Sequence, residues 1–466
     1  MRLPSVITSL TVTIITVASL GACTDREVNR VDPVPDRVDT WSIPVHVNRD
    51  LDILFVVDNS GSMAGEQASL AANFPTFIGV LQQIPGGLPN VHIGIVSSNV
   101  GAAGQASVPG CAGQGDDGNL LVKAGCTGLT GSFISDVADA RGDRVRNYTG
   151  SLDTLFSCMA QLGTGGCGFE MHLESMYRAL QPGKNPGFLR PDAYLAVIII
   201  ADEDDCSTAQ GAMFGDPTAG VTSPLGPRTS FRCFEFGVEC DGDSPRTFGT
   251  HTNCKPRAQS PYMYEVGKYV DYLKSLKASP DLVMVAGIVG VDDERHTVVV
   301  GPDPTTPANP AVQKSCFLVD PADPNDGAAP PIRLGSFLRA FPVSAQTSIC
   351  SPTLQGPLQQ IAARIVAVIH DPCLKRPLAD VDPIAPGPQY QCAVVEVAHP
   401  RAATRSEVVV PACADGDARP CWRIASNPDE CPATDGNPEQ LAIEVVRDPG
   451  QGVPTDTYVE AQCVVQ

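Results

Sequence analysis

Several familiar catalytic and zinc-binding motifs are absent from this sequence. It contains no C-x₂-C, H-E-x-x-H, G-x-S-x-G or G-x-x-x-x-G-K-[ST] segment, so the zinc ribbons, zinc proteases, nucleophile elbows and P-loops that they mark are not predicted. Basic residues are also scarce, since 32 Lys and Arg accompany 52 Asp and Glu and give a formal net charge of −20. This charge repels phosphate backbones, so we expect no nucleic-acid partner. Because no nucleophile with a paired His is recognisable either, we expect a binding protein and not an enzyme.

The apolar run at the N-terminus is too short, at about 15 residues, to span a bilayer comfortably. It follows Arg2 and predicts an export signal over residues 1–22. The run ends in Leu20-Gly21-Ala22-Cys23, which resembles the lipobox of bacterial lipoproteins; ordinary signal cleavage is the alternative. The resemblance implies cleavage before Cys23, lipidation of its thiol and a membrane anchor of several acyl chains. With Thr24 in place of Asp at the next position, it also implies the outer membrane of a bacterial cell envelope.

The cysteine count agrees with export. There are 17 Cys, and lipidation of Cys23 would leave an even number able to pair completely, as in proteins of oxidising compartments. Cys111 with Cys126 and Cys158 with Cys167 are close in sequence, and we therefore predict these two local pairs. The last six thiols are enough for three bridges of their own, which leaves the ten between Cys111 and Cys350 to pair within the preceding domain.

The middle of the chain alternates between buried strands and helices. Residues 23–48 have no apolar period and predict a tether. Continuous apolar runs after it predict strands buried on both faces, at 51–57, 91–97, 194–201 and 282–288. Helical spacing between and after the strands predicts helices near 70–81, 173–180, 266–276 and 358–369. We therefore expect an α/β fold, a doubly wound and mostly parallel sheet, over residues 49–373.

Two features qualify this expectation. Pro75 falls inside the first predicted helix and should kink it or delay its start. Three Gly-, Pro- and Cys-rich segments interrupt the alternation and predict irregular insertions at about 101–131, 207–258 and 290–350. Each follows the carboxyl end of a predicted strand, so all three should ring one rim of the domain.

The pattern changes near the C-terminus. A linker is predicted over 374–390, and short alternating stretches at 392–397, 441–446 and 458–464 predict a small disulfide-rich β module over 391–466. Trp422 is expected in its core, because small domains need large apolar groups.

Oxygen-bearing side chains follow two of the predicted strands. The first strand ends in Asp58-Asn59-Ser60-Gly61-Ser62, which presents two hydroxyls beside a carboxylate. The third strand is followed by Asp202, which places a second carboxylate on the same edge of a parallel sheet. Such a set of hard oxygen donors suits Mg²⁺.

Asp58, Ser60 and Ser62 after one buried strand, with Asp202 after a later one, resemble the metal-ion-dependent adhesion site of von Willebrand factor type A domains. The resemblance implies that these four residues hold Mg²⁺, or Mn²⁺ or Ca²⁺, directly or through water. It also implies that an acidic group of a protein or glycan partner completes the metal's coordination. The expected function is then partner capture by an envelope-anchored protein; the alternative is a structural lipoprotein whose metal site is vacant or merely stabilising.

The sequence departs from the family at the position of a further Thr ligand. The corresponding loop, 164–170, brings Gly168 close to that position, and Glu170 or Thr164 are the candidate substitutes. Glu170 is alternatively a first-turn carboxylate of a helix. Asp202 is followed by Glu203 where the family usually has Gly. Asp204 and Asp205 are expected to be solvated acidic residues, with calcium binding as the alternative. His172 is expected at a helix surface.

Overall fold

The computed structural model describes most of the chain from residue 50 onward, together with one earlier strand. The described residues are 38–43, 50–83, 87–102, 105, 108, 110–139, 143–209, 211–242, 244–318, 327–369, 373–374, 376–398, 406–414, 419–428, 431, 433–448 and 457–465. The predicted signal segment and Cys23 lie outside them. Among the described residues, no helix combines the length and the apolarity needed to cross a membrane.

The described elements include both strands and helices up to residue 369 and are strands from residue 392 onward. The strands are β1 (Val38–Ile43), β2 (Asp50–Val57), β3 (Asn90–Ser97), β4 (Ile134–Ala138), β5 (Arg144–Arg146), β6 (Tyr194–Ile200), β7 (Val238–Asp241), β8 (Gly249–Pro256), β9 (Val283–Val289), β10 (Val298–Pro302), β11 (Pro310–Val312), β12 (Ser344–Ser348), β13 (Cys392–Ala398), β14 (Ser406–Val410), β15 (Cys421–Ser426), β16 (Leu441–Val446) and β17 (Thr457–Val464). The helices are α1 (Ala64–Leu81), α2 (Leu152–Met159), α3 (His172–Ala179), α4 (Phe231–Gly237), α5 (Val266–Ser275), α6 (Ile332–Arg339) and α7 (Gln355–Ile369).

A seven-stranded sheet with the order β12-β9-β6-β2-β3-β4-β5 forms the centre of the molecule. Its first five strands are parallel, whereas β4 and β5 run antiparallel to their neighbours. The strands predicted at 51–57, 91–97, 194–201 and 282–288 are confirmed as β2, β3, β6 and β9. Because β2 is apolar at successive positions, Phe55 packs into one hydrophobic cluster and Leu54 and Val56 into another. Helices α1 and α7 contribute to the first cluster, and α3, α5 and α6 to the second.

Helix α1 accommodates a proline in its interior. It begins at Ala64 and runs past Pro75, so the predicted delay of its start is wrong. Proline has no N–H with which to bond the carbonyl four residues earlier. That carbonyl, of Ala71, instead accepts a hydrogen bond of 2.7 Å from the Ser157 hydroxyl on α2. A neighbouring helix thus supplies the donor that Pro75 lacks.

The predicted fold class, a doubly wound and mostly parallel α/β sheet with irregular insertions and one small β module, is wrong for this chain. The central sheet is mixed, and three further sheets are antiparallel: β1-β17-β13-β14, β11-β10-β8-β7 and β15-β16. Segments expected to be irregular form β7, β8, β10 and β11. The sequence of β8, GTHTNCKP, has no apolar alternation; its pairing with β7 and β10 and the Cys240–Cys254 bridge hold it extended.

The sheet β1-β17-β13-β14 joins an early strand of the chain to three strands of the C-terminal region. Strand β1 lies within the predicted tether, and it pairs with β17 from Val38 opposite Val464 to Ile43 opposite Val459. The interpretation of residues 38–43 as tether is therefore wrong. The strands predicted in the C-terminal region are confirmed as β13, β16 and β17, and Trp422 is buried in the cluster between them.

Eight disulfides join the described cysteines, as is typical of proteins from oxidising compartments. The bridges are Cys111–Cys167, Cys126–Cys158, Cys206–Cys233, Cys240–Cys254, Cys316–Cys350, Cys373–Cys431, Cys392–Cys463 and Cys413–Cys421. The predicted separation of the last six thiols from the preceding ten is confirmed. The predicted pairs Cys111–Cys126 and Cys158–Cys167 are wrong. These four cysteines form Cys111–Cys167 and Cys126–Cys158 instead, two nested bridges that enclose β4, β5 and α2. Proximity in sequence did not decide the pairing.

Candidate metal centre

Two aspartates lie side by side at the carboxyl edge of the central sheet. Strands β2 and β6 are parallel neighbours that end with Val57 opposite Ile200. The backbone N–H of Asp58 donates to the carbonyl of Ile200 at 2.9 Å, which continues the ladder by one residue. Asp202 follows two residues after Ile200. Both carboxylates are buried, with Asp58 0% and Asp202 3% exposed. Their burial follows from their position at the ends of two buried strands.

The loop after β2 folds back on Asp58. The N–H of Ser60 donates to Asp58 Oδ1 at 2.7 Å, and the Ser98 hydroxyl lies 3.3 Å from the same oxygen. Gln67 on α1 fixes the loop by donating to the Asp58 carbonyl at 2.9 Å. The hydroxyls of Ser60 and Ser62 lie 3.3 Å apart. The loop therefore presents two hydroxyls beside a carboxylate whose second oxygen, Oδ2, has no hydrogen-bond partner.

Asp202 completes the same cluster from the loop after β6. Burial and the neighbouring Asp58 carboxylate raise the pKa of Asp202 to about 7, while Lys314 and a hydrogen bond from Ser62 act in the opposite direction. Lys314 Nζ lies 3.7 Å from Asp202 Oδ2. The other oxygen, Oδ1, is buried without a hydrogen-bond partner. Ser62 thus connects the loop after β2 with Asp202, and the four predicted site residues form one continuous group.

His172 belongs to this group and was misjudged from the sequence. It is the first residue of α3, it is 0% exposed, and its Nε2 lies 3.4 Å from Asp58 Oδ2. Burial alone would lower the pKa of His172, but Asp58, with Asp205 and Asp204, raises it above its ordinary value. The expectation of a surface histidine is wrong, because the start of α3 packs against the edge of the sheet.

The two candidate substitutes for the missing Thr ligand lie in different environments. Thr164 is exposed, whereas Glu170 is buried. Burial and the adjacent Glu203 raise the pKa of Glu170 well above its usual range. A Cβ added to Gly168 would lie 3.8 Å from Glu170 Oε1, so Glu170 occupies the space beside that position. Glu170 and Glu203 also line a cavity of about 100 Å³, together with Lys314.

The acidic residues that follow Glu203 have structural contacts. Asp204 accepts from the N–H groups of Arg333 and Leu334 at the start of α6, at 2.9 Å each. Asp205 is fully buried and lies 3.1 Å from the Arg333 guanidinium. It also accepts from the Leu173 N–H at 3.0 Å. The interpretation of these two residues as solvated acids is wrong, since they hold α3 and α6 against the loop that carries Asp202.

The chemistry of the donor set fits a hard divalent cation. Two buried carboxylates each have one oxygen without a hydrogen-bond partner, and two hydroxyls lie between them. Burial of such charges is costly unless an opposite charge is close. Within the part of the chain that the structure describes, no three His, Cys, Asp or Glu side chains are grouped so as to hold a metal. The candidate set contains only two such residues and depends on the serine oxygens.

Comparison with known proteins does not assign a family. No family model and no curated protein matches the chain. Among solved structures, the pilus adhesin SpaC of Lactobacillus rhamnosus GG in its open conformation aligns with 93% of this chain at 12% identity and a TM-score of 0.32. The pilus adhesin RrgA of Streptococcus pneumoniae aligns with 94% at 10% identity and a TM-score of 0.26. Three N-terminal domains of the type V pili tip protein Mfa5 of Porphyromonas gingivalis align with 94% at 11% identity and a TM-score of 0.26.

The alignments span 44%, 60% and 67% of those three chains. At these TM-scores the likeness establishes neither a shared fold nor a shared role.

Proposed function

We propose that this chain is a partner-binding protein of the bacterial cell envelope that holds one divalent cation on Asp58, Ser60, Ser62 and Asp202. The partner is a protein or glycan whose acidic group completes the coordination of the cation, as in the von Willebrand factor type A domains that the motif resembles. Lipidation of Cys23 and attachment to the outer membrane are part of the proposal and rest on the sequence around Cys23. The eight disulfides support export to an oxidising compartment.

The proposal depends most on Asp58 Oδ2 and Asp202 Oδ1, which are both buried without a hydrogen-bond partner on adjacent strand ends. The one charged contact of Asp58 Oδ2 among the described residues is His172 Nε2 at 3.4 Å, which is too long for a strong hydrogen bond. A divalent cation would supply the missing interactions for both carboxylates at once. Mg²⁺ requires near-octahedral oxygen coordination, and four protein oxygens leave positions for water or a partner's carboxylate. The two aspartates balance the charge of the cation.

The sequence makes Glu170 a candidate for a fifth contact, but its pairing with Glu203 competes with that role, so the proposed set keeps four protein ligands. A structural role without a bound cation is the second candidate function, and it is favoured by Lys314, which already places a positive charge 3.7 Å from Asp202.

Mg²⁺, Mn²⁺ or Ca²⁺ is expected to raise the thermal unfolding midpoint of the purified chain. A ligand that binds only the folded state at about 100 times its Kd stabilises it by about 2.7 kcal/mol, which corresponds to about 3 °C for a chain of this length. Asp58→Asn should abolish this response, because it removes a charged ligand at nearly constant volume. Asp271→Asn, which alters an exposed carboxylate on α5, is the matched control and should respond like the unmodified chain.

Equal midpoints with EDTA and with each metal, in the unmodified chain and both variants, would reject the cation site. Partner capture is tested on arrays of acidic peptides and acidic glycans. Binding in Mg²⁺ that disappears in EDTA and in Asp58→Asn supports capture through the cation, whereas binding that persists in both favours a surface elsewhere.

A further inference from the structure

Lys314 is the positively charged side chain beside Asp202, in a segment whose sequence predicts no functional residue. Its side chain is 17% exposed, and Nζ lies 3.7 Å from Asp202 Oδ2. We propose that Lys314 is a tethered counter-ion of the cation site: it neutralises Asp202 when no divalent cation is bound, and it swings to Glu203 and Glu170 when one binds. This inference rests on the proposed cation site and adds to it a competitor built into the chain.

The backbone around Lys314 is fastened to the loop that carries Asp202. Gln313 donates to the Val299 carbonyl at 2.8 Å, and Ser315 donates to the Ala328 carbonyl at 2.6 Å. The next residue, Ala329, donates to the Asp202 carbonyl at 2.8 Å. The Cα of Lys314 is therefore held at a set distance from Asp202, and only the flexible side chain is able to move.

The close approach of the chain at this point requires a glycine. A Cβ added to Gly290 would lie 2.0 Å from the Ala329 carbonyl oxygen. Cys316, two residues after Lys314, is also bridged to Cys350. The close contact at Gly290 and the Cys316–Cys350 bridge thus both restrain the backbone around Lys314.

The cavity of about 100 Å³ provides a second position for the ammonium group. Lys314, Glu170 and Glu203 share its wall, and Phe231 and Val298 supply an apolar side that offers no competing charge. Asp204 and Asp205 also line it, but their carboxylates already bind the start of α6 and Arg333. Glu170 and Glu203 are therefore the carboxylates that are placed to receive the displaced ammonium.

The geometry at Asp202 favours exchange over a locked ion pair. A separation of 3.7 Å is longer than a charge-assisted hydrogen bond, which is about 2.7 to 2.9 Å. A lysine ammonium is a point charge on a flexible stem, and it is repelled by a cation that binds the same carboxylate. By thermodynamic linkage, a lysine that weakens cation binding must itself bind Asp202 less well once the cation is present.

The test is the Kd for Mn²⁺, measured by titration calorimetry on the full chain. Lys314→Met keeps the apolar stem and removes the charge, and we expect it to bind Mn²⁺ at least about 5-fold more tightly, the lower end of typical coupling between sites. Lys314→Arg keeps the charge and should stay close to the unmodified chain. Lys255→Met is the matched control, because this lysine lies on β8 with 70% of its side chain exposed, and it should leave the Kd unchanged.

The outcomes separate the inference from the proposed function. Tighter binding by Lys314→Met alone supports the counter-ion role, as does binding by Lys314→Met when the unmodified chain binds no Mn²⁺. Equal or weaker binding by Lys314→Met, with clear binding by the unmodified chain, overturns the inference and leaves the cation site in place. No binding by any of the four proteins overturns both. Should Lys314→Met fail to fold, Lys314→Gln retains a hydrogen-bond donor and gives the same comparison.

Discussion

Replacing Arg333 with Met is expected to lower the free energy of unfolding by about 3 kcal/mol or more, because it leaves a buried carboxylate without its opposite charge. Arg333 is 1% exposed and Asp205 is fully buried, and the guanidinium donates to Asp205 Oδ2 through Nε at 3.2 Å and through Nη2 at 3.1 Å. The same side chain donates to the Tyr264 carbonyl at 2.9 Å. A Met side chain retains most of the length of the Arg side chain, so the lost free energy of unfolding reflects the missing charge more than a change in packing. Chemical denaturation at pH 7 measures it.

Arg339→Met on the same helix is the control for this substitution. Arg339 is 47% exposed and lies 3.0 Å from Asp292, and exposed ion pairs contribute at most about 1 kcal/mol. A loss in Arg333→Met no larger than that in Arg339→Met would contradict the role assigned to the Asp205 contact. Because Asp205 also holds the start of α3, we expect Arg333→Met to weaken the midpoint shift caused by Mg²⁺ as well.

The chain in EDTA is expected to lose stability as the pH rises from about 4 to 7. The pKa of Asp202 is about 7 in the folded protein against 3.8 as its ordinary value, so the folded state binds more protons than the unfolded state throughout this window. Stability then falls with rising pH, by on the order of 4 kcal/mol if Asp202 acts alone. Burial also raises the pKa of Asp204 to about 6 and raises the pKa values of Glu170 and Asp52, and each of these groups adds to the fall.

His172 extends the same trend to higher pH. Its folded pKa is raised above 6.5, so its contribution is fully present below that value and is lost as the pH rises through the folded pKa. Carboxylates with lowered pKa values, such as Asp117 and Asp303, act in the opposite sense below their ordinary value of 3.8, outside the window.

Urea unfolding between pH 4 and 8, with EDTA and with Mg²⁺, measures the dependence. Asp202→Asn should make the fall in EDTA smaller and leave the part that is due to Glu170, Asp204 and His172. Mg²⁺ should reduce the fall in the unmodified chain, because a cation favours the ionised carboxylates. Stability in EDTA that rises across the window, or that falls equally in Asp202→Asn, would contradict the assignment of the buried charge to Asp202.

The juxtaposition of Asp58 and Asp202 could be predicted because it depends on local patterns. Both residues follow continuous apolar runs, and such runs form neighbouring buried strands whose carboxyl ends share an edge. Strand β8 was missed for the opposite reason: its sequence carries no apolar period, and it is extended through pairing with β7 and β10. Strand β1 was missed because its partner, β17, lies at the other end of the chain.

The charges that surround the site were not visible in the sequence. His172 and Lys314 approach Asp58 and Asp202 only because α3 packs on the sheet edge and because the segment before Cys316 is fastened to Ala328. A possible signal for His172 was its position at the start of an amphipathic helix that follows the Glu170 loop. For Lys314 the sequence offers no such signal, since a lone lysine in a Pro-rich insertion is usually solvated.

We propose that one divalent cation binds between Asp58, Ser60, Ser62 and Asp202. Crystals of the chain grown in Mn²⁺ and measured at a wavelength with strong manganese anomalous scattering test it most directly. We expect a single anomalous peak within about 2.5 Å of the two serine hydroxyls, bound to both aspartates directly or through water, and its loss in Asp58→Asn. A difference map without a peak there at saturating Mn²⁺, or with its strongest peak at another group of carboxylates, would contradict it.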